Sequence, residues 1–173
     1  KAGLKMVATQ INSFHEVWEM PWGEQRSVVN NYNELVVELA ESKAPNRKLN
    51  IYFRAYDDGI GFRYEFPSQK GVDSLMIVEE HTDFQLAGNH TTWWVPADWD
   101  SYEHLYNTTL FSEIDVFERG KKHSLGHASI KDNAVHTPVT MRTKEGLHLS
   151  FHEAALLDYA SMTLKIDNTN LKM

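Results

Sequence analysis

The chain has 173 residues, 42% of them hydrophobic and 24% charged, the balance of a folded globular protein and not of a disordered one. Its formal charge is −7 with a pI near 5.7, which argues against a general nucleic-acid binder or a partner of anionic membranes, because both need a basic face. The absence of cysteine excludes disulfides, thiol nucleophiles and thiolate metal sites, and no stretch approaches the roughly 20 apolar residues of a membrane-spanning helix.

Taken in chain order, the dominant period is two, the period of a strand. Leu35, Val37 and Leu39 alternate with Glu34 and Glu38. Leu49, Ile51, Phe53 and Ala55 alternate with Asn50, Tyr52 and Arg54. Asp57-Asp58-Gly59 then marks a turn, and Ile60, Phe62, Tyr64 and Phe66 run back to Pro67. This is the clearest hairpin in the chain. Shorter alternating runs follow at Thr82–Leu86, at Leu147–His152 after the Glu145-Gly146 turn, and at Met162–Ile166. Pro138, between Val135 and Val139, predicts an edge or a bulge. Helix signals are short: Ser112–Phe117, with Ser112 as a cap, and Glu153–Ala160, about two turns in length. Asn89–Asp100 and Lys121–Asn133 read as long loops. Many short strands separated by turns predict an all-β fold, an antiparallel β-sandwich or barrel in a single domain over residues 1–173.

Several residue groups bear on chemistry. Asn89-His90-Thr91 and Asn107-Thr108-Thr109 match the glycosylation sequon, a pattern of low specificity. His123/His127 and His148/His152 are spaced four apart, but two residues that far along a strand stand about 13 Å from each other, too far to share one ion. Structural or surface histidines fit that spacing better than zinc ligands. Trp93, Trp94 and Trp99 gather with Tyr102 and Tyr106 around Asp98 and Asp100. Rings that stack on sugar C–H faces beside carboxylates that take hydroxyls are the components of carbohydrate binding. Rings that pack a loop onto a sheet are the equal alternative. The adjacent acids Asp57-Asp58, Glu79-Glu80 and Asp98/Asp100 make no acid/base pair for glycosidic cleavage, since neighbours on a strand point to opposite faces. Glu153 ends the Leu147–His152 run, a position at a sheet rim that suits an oxygen ligand for a hard cation such as calcium. A solvated glutamate at a helix start is its competing role.

Four blocks resemble the N-terminal domain of glycoside hydrolase family 97: Pro21-Trp22-Gly23-Glu24, Asn31-Tyr32-Asn33-Glu34-Leu35, Phe53-Arg54-Ala55-Tyr56-Asp57-Asp58-Gly59-Ile60-Gly61-Phe62-Arg63-Tyr64, and His152-Glu153-Ala154-Ala155-Leu156-Leu157-Asp158-Tyr159-Ala160-Ser161-Met162. They stand in the family's order, with His152 where the family usually has threonine and Ser161 where it often has glycine. The resemblance implies a galactose-mutarotase-like β-super-sandwich, here incomplete, in a bacterial α-glucosidase or α-galactosidase of the periplasm. It further implies a catalytic (β/α)₈ barrel and a C-terminal β domain outside this chain, so that the catalytic residues lie elsewhere and the barrel is a partner in cis. Glu153 matches the glutamate that reaches a catalytic calcium, and an α-glycoside or oligosaccharide is the implied substrate. A non-catalytic carbohydrate-binding sandwich is the alternative function, and a purely structural domain is a third.

Overall fold

The computed structural model describes residues 3–123 and 129–173, with the side chains of 120–123 not included. Two compact units divide the chain, Lys1–Val78 and Glu79–Met173. Both are built from antiparallel sheets, and the fold is all-β and sandwich-like, as the period-two pattern predicts.

The first unit is one four-stranded meander in sequence order: β1 (Leu4–Glu19), β2 (Ser27–Glu41), β3 (Lys48–Ala55) and β4 (Ile60–Glu65). Alternation decides its two faces. The register places Ile11, Leu35, Phe53 and Phe62 in one row and Thr9, Val37, Ile51 and Tyr64 in the next, so these form an apolar face. The opposite face is polar: Arg54 pairs with Glu34 at 2.8 Å and lies 4.3 Å from the Tyr32 ring centroid. The β3–β4 hairpin closes where the Asp58-Gly59 signal places it, with the Tyr56 amide donating to the Gly59 carbonyl at 2.8 Å. Strand β1 escapes the sequence reading because its register shifts between Met6 and Ala8, which interrupts the alternation of apolar residues.

The second unit holds a sheet ordered β6-β5-β8-β9, from β5 (Thr91–Trp94), β6 (Asn107–Leu110), β8 (Val139–Arg142) and β9 (His148–Phe151). Beside it β7 (Ala134–His136) pairs with β10 (Thr163–Lys165). Pro138 therefore lies at the passage from a strand of one sheet to a strand of the other, since β7 ends at His136 and β8 begins at Val139. Trp94, Phe111, Ile114, Val116, Val135, Val139 and Met141 form the core, with Leu164 and Ile166 from β10 and its exit.

Several local expectations change, and the Lys121–Asn133 loop begins inside a helix that runs to His123, with its residues 124–128 outside the described ones. Asn89–Asp100 is not a loop throughout, because β5 occupies Thr91–Trp94, where β-branched and aromatic residues suit a pleated surface. Glu153–Ala160 forms no helix and is an irregular segment with bends and a positive φ at Asp158. Thr82–Leu86 contributes one bridge, Gln85 with Lys172, in place of a strand. Helix α1 (Val116–His123) lies further on than Ser112 suggests: Phe111–Glu113 is a 3-10 turn, and Asp115 caps α1 by accepting from the Glu118 amide at 2.9 Å.

Candidate functional site

Strand β5 sorts the tryptophans. Trp94 points inward, is fully buried (0% exposed) and donates its indole N–H to Thr109 Oγ1 at 3.0 Å. It has no ring face left for a sugar, so Trp94 is a core residue and not a binding residue. Trp93, one residue earlier, points to the opposite face. There it stacks on His148 of β9, centroids 6.0 Å apart, with the Arg142 guanidinium 5.9 Å from its ring. Trp99 lies past the end of β5, on the β5–β6 connection, and is 66% exposed. The three tryptophans thus serve three different environments.

The connection that carries Trp99 is organised by Asp98, which is only 3% exposed. Its Oδ1 accepts from the amides of Asp100 and Ser129, each at 3.0 Å, and its Oδ2 lies 2.7 Å from His104 Nε2. The Asp98 carbonyl in turn accepts from His136 Nε2 at 3.0 Å, and Tyr102 stacks on the His136 ring at 4.1 Å. Burial pushes the Asp98 carboxyl up, but the His104 ring and the two amides outweigh it and hold the group below the usual carboxylate range. The sequence showed the aromatic cluster, but nothing in its spacing marked His104 and His136 as the partners of Asp98.

Glu153 stands two residues beyond the end of β9, half-buried, at the sheet rim that the alternation predicts. His152 Nδ1 donates to its backbone carbonyl at 3.2 Å. The segment that follows is exposed, with Leu157 81% accessible, and is tied back where Tyr159 donates to Glu80 Oε2 at 3.0 Å. Among the described residues, no group of three or more His, Asp or Glu side chains comes together as a metal cage. A carboxylate at a rim fits calcium by chemistry, since that ion takes about six to eight oxygens. Glu153 would be one such donor, and the others would have to come from elsewhere in the protein. His148 is engaged with Trp93, and the side chain of His123 and the whole of His127 lie outside what the structure describes. Both sequon asparagines are engaged as well, Asn89 with Ser112 and Asn107 with the Leu105 carbonyl.

The described residues thus form an all-β domain of antiparallel sheets with Glu153 just beyond the end of β9. The chain belongs to glycoside hydrolase family 97: the model of the glycosyl-hydrolase 97 N-terminal domain matches residues 1–173. A family 97 enzyme from a Pseudoalteromonas species, solved in complex with panose, is 35% identical, with a TM-score of 0.81, over 98% of this chain and 23% of that one. The same enzyme in complex with acarbose gives a TM-score of 0.78 at 35% identity. A β-arabinopyranosidase shares the fold at 22% identity, with a TM-score of 0.77 over 98% of this chain and 26% of its own. The chain therefore spans about a quarter of the length of these solved relatives.

Proposed function

We propose that this chain is the part of a periplasmic family 97 α-glycosidase, an α-glucosidase or α-galactosidase, that flanks the catalytic barrel, shapes its pocket and donates Glu153 to a calcium ion. The observation that carries the reading is the family match over the whole chain together with Glu153 in the matching His152–Met162 block. The relatives solved with panose and acarbose support an oligosaccharide as the class of substrate. The catalytic acid and base belong to the barrel, outside this chain.

Within that reading the chain's own residues do three things. The β8–β9 hairpin fixes where the rim is, the His152 bond to the Glu153 carbonyl ties the chain just past β9, and the Tyr159–Glu80 bond limits how far the following segment swings. The exposed Leu156 and Leu157 give that segment an apolar surface for the barrel to cover. Bound calcium would add fixed positive charge beside the scissile bond. The test is Glu153→Gln in the full-length enzyme, which keeps shape and removes one charge. Calcium affinity and turnover are expected to fall at least about tenfold. A variant that binds calcium and turns over like wild type would show that Glu153 is only a solvated rim residue.

A further inference from the structure

The β5–β6 connection presents Trp99 and Tyr102 in a way that core packing does not explain. Trp99 is 66% and Tyr102 63% exposed, yet neither ring hangs free. The Lys131 ammonium lies 4.2 Å from the Trp99 centroid, and the His136 imidazole covers Tyr102 at 4.1 Å with the planes 21° apart. Each ring is held on one side by a group of the protein and, at that exposure, open on the other. The backbone beneath them is fixed by the buried Asp98 carboxylate through the amides of Asp100 and Ser129 and through His104. Two carboxylates, Asp100 and Glu103, are exposed on the same loop, and the Glu103 amide is itself oriented by the Ser101 hydroxyl at 2.8 Å.

We propose that this loop is a carbohydrate-binding platform, on which hexopyranose units of an oligosaccharide stack against the open faces of Trp99 and Tyr102 while Asp100 and Glu103 accept hydroxyl hydrogens. The choice of an oligosaccharide rests on the substrate class proposed above; the platform itself rests on the loop geometry. Immobilised rings suit this ligand because a sugar offers little apolar area, so ordering costs at the surface must already be met. Exposed carboxylates add direction, since each can accept hydrogen bonds from sugar hydroxyls that a ring face alone cannot read. An anionic ligand is disfavoured by the two carboxylates and by the net charge of −7. Trp93 is not part of the platform, because it lies on the solvent face of β5 against His148.

Titration of the 173-residue chain with panose, followed by calorimetry and by chemical shifts of the indole N–H groups, tests the proposal. Saturable binding is expected, with the Trp99 indole signal shifting. Trp99→Ala is expected to weaken it about tenfold, the scale of one aromatic contact, and Trp99→Phe to restore part of the loss. Tyr102→Ala is expected to weaken it as well. Leu147→Ala, exposed on the β8–β9 turn, serves as a control for non-specific association and is expected to bind as wild type does. Absence of saturable binding, or binding indifferent to both ring deletions, would overturn the platform. If Trp99→Ala fails to fold, the Trp99→Phe and Tyr102→Ala titrations decide the matter. The calcium experiment reads Glu153 in the full-length enzyme, so either proposal can fail without the other.

Discussion

Asp98 carries more of the β5–β6 connection than any other single side chain, because one carboxylate satisfies two amides and an imidazole. Its folded pKa is held below the ordinary value near about 3.9. Its contribution to stability is therefore fully present above the unfolded pKa and is lost as pH falls through the lower folded value. Asp98→Asn keeps the shape but puts a neutral amide against His104. At neutral pH it is expected to cost about 1.5–3 kcal/mol, the range for hydrogen bonds to a charged group. Urea unfolding of both proteins between pH 7 and pH 3 checks this. The gap between them should narrow on acidification, and a gap that is constant over the range would show that the carboxylate's charge is not what holds the loop.

At the scale of elements, the joint between the 3-10 turn, α1 and β10 depends on two asparagines. Asn168 Nδ2 donates to the carbonyls of Phe111, Ser112 and Ile114, at 3.4, 3.1 and 2.9 Å, and its Oδ1 accepts from Asn133 Nδ2 at 3.0 Å. Asn133 Oδ1 accepts in turn from the Val116 amide, one of the orphan donors of the first turn of α1. Asn168→Ala is expected to lower stability by about 1–3 kcal/mol by stranding these groups. Asn168→Asp is expected to be worse at neutral pH, since a carboxylate there faces three carbonyl oxygens, and to recover partly when protonated. Thermal unfolding of the two variants at pH 7 and pH 4 reads the difference, and an aspartate variant as stable as wild type at pH 7 would refute the donor role. None of this joint was legible in the sequence, because Asn133 and Asn168 are far apart in the chain and meet only through the fold. What was legible is where alternation is unbroken: the β2 run from Leu35 to Leu39 and the β3–β4 hairpin stand in the structure as the period predicts. The pattern failed at β1, where a bulge shifts it, and at β5, where only four residues separate a loop from a turn. The Glu153 rim could be placed because it follows a short alternating strand. The Asp98 frame could not, since a buried Asp–His contact has no period.

For the whole molecule, the question is what a chain spanning 23% of a relative's length can do by itself. Cleavage of a glycosidic bond needs two carboxyl groups set about 5–10 Å apart across a pocket, one of them free to give a proton and the other to attack or to activate water. The well-placed carboxylates here are already engaged: Glu41 with Arg47, Glu34 with Arg54, Glu80 with Thr82 and Tyr159, and Asp98 with His104. Two clefts of the second unit, one lined by Asp83, Lys165 and Asp167 and the other by Glu113, Asp115 and Asn133, include neither Glu153 nor the aromatic loop. Asp167 in the first is spent on the amides of Thr169 and Asn170. The expected outcome is that the purified 173-residue chain releases no nitrophenol from α-glucoside or α-galactoside substrates above a matched blank, with or without added calcium. Sugar binding at Trp99 and Tyr102 is compatible with that result, because stacking holds a ring without polarising its glycosidic oxygen. Turnover that rises in proportion to chain concentration, and that survives purification to homogeneity, would mean that an acid/base pair exists within these residues and that the proposed division of labour between this domain and a catalytic barrel is wrong.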